Sequence, residues 1–83
     1  MTRLLPVSGK EMCKILEKLG FKKIHQVGSH VRYVHSDGRR TVVSVHGNEE
    51  LSIGLIKEIM RQVEISREDF EKLRNKIWLS HTH

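Results

Sequence analysis

Six histidines and one cysteine are the side chains of this sequence best suited to acid–base, nucleophilic or metal chemistry near neutral pH. An imidazole gains and loses a proton close to pH 7, so it serves as a general acid or base and, when neutral, as a metal ligand. The histidines are His25, His30, His35, His46, His81 and His83. The first three stand five residues apart, a spacing that alternates faces along a strand and lacks the close ligand pairs of a zinc site. No metal and no other cofactor is therefore expected. Cys13, the only cysteine, lies beside an apolar helical stripe, with no neighbour that would lower a thiol pKa. It reads as packing rather than as a nucleophile. Residue type alone does not choose among the histidines, so the elements that carry them have to.

Ser8-Gly9-Lys10-Glu11 is a capping box, followed by Met12, Ile15, Leu16 and Leu19 on one helical face and by Gly20 as a stop. Three short segments rich in β-branched and aromatic residues come next: Phe21–Val27, His30–His35 and Arg39–Val45. Gly28-Ser29 separates the first two, and Ser36-Asp37-Gly38 is a hairpin turn between the second and third. A two-residue Asp37-Gly38 turn would mix polar and apolar side chains on both faces. A three-residue loop with Gly38 left-handed pairs His35 with Arg39 instead. That register gathers Val31, Tyr33, Thr41, Val43 and Val45 on one face. It leaves His30, Arg32, Val34, Arg40, Val42, Ser44 and His46 on the other. Ser52 caps a helix that buries Leu55, Ile56, Ile59, Met60 and Val63, and Ser66-Arg67-Glu68-Asp69 signals another with a stripe of Phe70, Leu73, Ile77 and Trp78. That last stripe reads as core packing, with a partner-binding surface as the alternative. The expected fold is α+β: a three-stranded antiparallel sheet covered on one face by helices, in the order α-β-β-β-α plus a C-terminal helix.

Charge narrows the partners. Fifteen Lys and Arg against ten Asp and Glu give a net charge of +5, and the acidic residues cluster late, at Glu49-Glu50 and from Glu64 to Glu71. The basic first half suits a polyanion, with ordinary surface lysine as the plainer explanation. With 83 residues the chain forms one thin two-layer core and no deep cofactor cleft. No run of about 18 apolar residues exists to span a membrane. The N-terminus lacks a secretory signal, and a lone cysteine suits a reducing compartment, so the expected location is cytoplasmic.

Several ordered strings resemble the HicA toxin family. They are Leu5-Pro6-Val7-Ser8-Gly9-Lys10-Glu11, Leu19-Gly20-Phe21, Gly28-Ser29-His30, Asp37-Gly38-Arg39, His46-Gly47-Asn48, Gly54-Leu55 and Ile65-Ser66-Arg67-Glu68-Asp69-Phe70. The similarity runs from about residue 5 to residue 73, and residues 1–83 read as a single HicA-like domain. The resemblance implies a fold similar to double-stranded-RNA-binding domains and an mRNA endoribonuclease held inactive by a HicB-like antitoxin. It also implies that His30 is the catalytic residue, with Gly28 and Ser29 in the same motif. One departure is Ser44, where many members carry a proline two residues before the later histidine.

RNA carries its own nucleophile, so a base that takes the 2′-hydroxyl proton permits in-line attack on the adjacent phosphorus. The expected products are a 2′,3′-cyclic phosphate and a 5′-hydroxyl, with no metal required. Predicted face and proximity add Arg32 and Arg40 as phosphate-side helpers. His46 is the second acid–base candidate, against a turn-stabilising role at a strand end. His25 and His35 read as surface residues or RNA contacts, and His81 and His83 as inert. Two rival functions remain: a noncatalytic RNA-binding module of the same fold, and a small basic protein-interaction domain.

Overall fold

Each helix begins where a serine side chain satisfies a backbone amide that the helix itself leaves open. The computed structural model describes residues 4–80, with side chains through Ile77; residues 1–3, His81, His83 and the side chain of Trp78 lie outside it. Helix α1 (Gly9–Lys18) carries the full capping box, with the Glu11 N–H donating to Ser8 Oγ at 3.1 Å and the Ser8 N–H to Glu11 Oε1 at 2.8 Å. Ser52 caps α2 (Ile53–Val63) through the Leu55 N–H at 3.2 Å, and Ser66 caps α3 (Arg67–Ser80) through the Asp69 N–H at 3.1 Å. Helix α1 ends as its glycine predicts. Gly20 has φ +98°, its N–H donates to the Glu17 carbonyl, and the Phe21 N–H reaches back to Leu16.

Strands β1 (Lys22–Val27), β2 (His30–Val34) and β3 (Arg40–Ser44) form one antiparallel sheet in the order β1-β2-β3. The hairpin register agrees with the sequence expectation. Val34 pairs with Arg40 and His30 with Ser44, the His35 N–H donates to the Arg39 carbonyl at 2.8 Å, and Gly38 has φ +100°. Alternation then sorts the faces. Val31, Tyr33, Thr41 and Val43 are buried, together with Met12, Ile15 and Leu16 of α1, Ile56, Ile59 and Val63 of α2, and Phe70 and Ile77 of α3. Leu55, Met60, Leu73 and Val45 pack half-buried against this core. The order α-β-β-β-α-α with helices on one side of the sheet is the expected architecture.

One end of the hairpin is pinned to the helical layer. Arg39 donates through Nε to Asp37 Oδ2 at 2.9 Å and through Nη1 to the Val63 carbonyl at the end of α2, while its guanidinium lies 5.2 Å from the centre of the Phe21 ring. His35 meets the same ring edge-on at 5.1 Å. The Asp-Gly-Arg string is thus scaffold, and it sits at the hairpin end away from His30. Farther in, Thr41 donates to Gln62 Oε1 at 2.6 Å, and the Tyr33 hydroxyl donates to Glu17 Oε2 at 2.8 Å.

Candidate nucleic-acid interface

The face of the sheet away from the helices carries the charge. No strand residue is acidic. Pairing sets out rows across this open face: Val27–His30–Ser44, then His25–Arg32–Val42, then Lys22–Val34–Arg40. His30 is the first residue of β2 and is exposed, placed there by the two-residue turn Gly28-Ser29. Gly28 holds φ +58°, the left-handed first position of such a turn, so any side chain there is strained even though space is open around it. Of the predicted residues, His30 and Arg32 share a face one row apart, about 7 Å along the strand. Arg40 stands a further row away. His46 falls beyond the end of β3, where it lines a cavity of about 180 Å³ with Ser44, Glu49, Glu50 and Ser52.

A β-bulge changes the membership of the face. Between Lys23 and His25 the register slips by one, leaving Ile24 without a partner on β2. In an unbroken ladder set by the Gly28-Ser29 turn, Ile24 would oppose Tyr33 and point toward the helices. With the bulge it lines the open-face side instead, 60% exposed, beside Arg32, Val34, Arg40 and Val42. The turn, for its part, brings His25 opposite Arg32 and diagonal to His30. His25 and His30 therefore do not alternate in face as their spacing along one strand suggests, because the chain reverses between them. Residue-by-residue reading left His25 as a surface residue or RNA contact, without setting it beside His30. Pairing outward from the Gly28-Ser29 turn is the signal that finds it.

The arginines divide by partner. Arg39, Arg61 and Arg74 are each held by a carboxylate, from Asp37, Glu58 and Glu71. Among the described residues no carboxylate pairs with Arg32 or Arg40, so their guanidinium groups remain available to an anion. Asp37 is held below the usual carboxylate range by its bonds to Arg39, and burial pushes the Cys13 thiol up, which leaves it a weak nucleophile. Burial also raises the Tyr33 hydroxyl, strengthened by its contacts with Cys13 and Glu17, so it stays a proton donor. Among the described residues no group of three or more histidine, cysteine or carboxylate side chains converges on a metal-sized space, and no helix is long and apolar enough to cross a membrane.

Gly9 ties this face to the helical layer. A Cβ at Gly9 would stand 2.4 Å from the Ser44 carbonyl oxygen and 3.0 Å from Val45 Cα, both backbone atoms. The first turn of α1 thus rests directly on the strand end that pairs with His30.

Comparison with individually curated proteins gives no match. A family model does match: the one described as HicA toxin of bacterial toxin-antitoxin covers residues 9–65, from the start of α1 to just past α2. Those residues include α1, the whole sheet, both turns that set its register and α2. The chain belongs to the HicA family, and its role is that of the toxin in a bacterial toxin–antitoxin system.

Proposed function

We propose that the chain is an endoribonuclease that cleaves single-stranded mRNA with His30 as general base, needs no metal, and is silenced by a HicB-like antitoxin laid over the same sheet face. The observation that carries this reading is the position of His30: exposed at the start of β2, in a toxin family, on a sheet face free of acidic residues and one row from an arginine without a carboxylate partner.

The chemistry follows from that placement. His30 takes the proton of a 2′-hydroxyl as the O2′–P bond forms, and the P–O5′ bond breaks in line on the opposite side of phosphorus. Arg32 supports the nonbridging oxygens as their charge grows. The departing O5′ needs a proton, and His25 is the donor. It lies diagonal to His30, about 7–8 Å away between backbone positions, a span that lets two imidazoles flank one phosphate. His46 is the less suitable donor, since it lies past the strand end among Glu49 and Glu50. Gly28 and Ser29 form the turn that sets His30 in place, and Arg40 serves the neighbouring nucleotide.

Purified protein is expected to cleave single-stranded RNA in excess chelator and to leave cyclic phosphate ends. His30→Ala should lower the rate by about 10²–10⁴-fold with the circular dichroism spectrum unchanged. Cleavage by His30→Ala at the wild-type rate would remove His30 from the chemistry, and tight RNA binding without any product would favour the noncatalytic module.

A further inference from the structure

We propose that the cavity beside the bulge is a binding site for one unstacked nucleobase, and that it sets the base preference next to the cleaved phosphate. The inference rests on the ribonuclease reading for its choice of RNA and on separate features of the sheet for the site itself. The cavity encloses about 200 Å³ of the open face, with Ile24, Val34 and Val42 as its apolar lining and Arg32 and Arg40 among its walls. This is smaller than the roughly 300 Å³ at which pockets for drug-sized ligands begin, and suits a single ring system.

Three features select a base as the occupant. Apolar side chains from all three strands meet here on the charged face of a basic protein, and Ile24 joins them only because of the bulge. Val42 is 40% and Ile24 60% exposed, so an apolar surface is offered to solvent that flat aromatic rings can cover. Arg32 and Arg40 are diagonal neighbours across β2 and β3, about 7–8 Å apart between backbone positions on the same face, so their long side chains can close on the two faces of one base. Arginine planes stack on bases, and two of them rising from one face can hold a planar ring between them. Arg32 also lies between the cavity and the His30 row. A nucleotide whose base enters the cavity therefore carries its phosphate toward His30.

The test uses a five-nucleotide single-stranded RNA, intact or with one abasic nucleotide at each position in turn. Dissociation constants are measured with His30→Ala protein, with and without Arg40→Gln, after circular dichroism shows both folded. One abasic position should weaken binding by about 5- to 150-fold, and Arg40→Gln should shrink that penalty to under about 2-fold. A penalty that survives Arg40→Gln, with all six RNAs weakened alike, assigns Arg40 to a phosphate and overturns the proposal. So does the absence of any abasic penalty, including the case where Arg40→Gln loosens only the antitoxin. Cleavage by protein that retains His30 is scored in parallel. No cleavage with the abasic penalty intact defeats the ribonuclease reading and keeps the base site, whereas cleavage without a penalty defeats the base site alone.

Discussion

His30 and His25 occupy adjacent rows of one sheet face, yet they reach it by different routes. His30 is fixed by the turn that precedes it, and His25 by the pairing that the same turn imposes on β1. Their division of labour predicts opposite effects on a pH–rate profile. A base must be neutral and an acid protonated, so wild type should give a bell. His25→Ala should flatten the alkaline limb and lower kcat by about 10–100-fold, while His46→Ala leaves the shape intact. Flattening by His46→Ala, with His25→Ala silent, would exchange the two assignments. Cys13 stands outside this chemistry, in keeping with its sequence context. Its thiol is half-buried beside Tyr33 and raised by that burial, so the thiolate is scarce near neutrality.

At the scale of elements, the close approach of α1 to β3 is the feature with most leverage on the site. Gly9 permits it, and the atoms a methyl group would strike are the Ser44 carbonyl and the Val45 backbone. Because these are backbone atoms, the strand end must move rather than a side chain rotate. Gly9→Ala is expected to cost about 1–3 kcal/mol in denaturant unfolding and to reduce cleavage beyond the loss of folded protein. Unchanged stability would mean that the helix can shift freely. Much of this level was legible in the sequence because its signals are local. Ser8 with Glu11, Ser52, Ser66 and Gly20 each announce a helix end through bonds to residues within four positions. The hairpin register was legible because only one loop length separates Val31, Tyr33, Thr41 and Val43 from the basic residues. The bulge at Ile24 and the contact at Gly9 were not, since both depend on residues brought together only by folding. Glu64 was equally hidden: it holds φ +56° at the end of α2, where a glycine would normally announce the turn.

For the whole molecule, charge and layering act together. The helices cover one face of the sheet, so the basic residues of β2 and β3 gather on the other instead of being spread around the surface. Net charge by itself only suggested a polyanion. Segregation of faces turns it into a surface, and the strand alternation was readable for that reason. Phosphate contacts from Lys22 and Arg32 predict a salt slope of about −1.4 in log–log form for single-stranded RNA. Titration of His30→Ala protein across salt concentrations measures it. A flat response would show that these cations do not face phosphate.

The bulge has another side to it. Strand β1 is one of the two rims of the sheet, and a rim of open amides and carbonyls is ordinarily an invitation for a second copy to add its own strand. Here the rim is broken in register at Ile24 and bears Lys22 and Lys23 just before the break. Two ammonium groups and a kinked backbone make a poor template for a neighbour carrying the same charges. The irregularity that turns Ile24 toward the solvent face also discourages the toxin from stacking on itself, and so leaves the basic face of the sheet open.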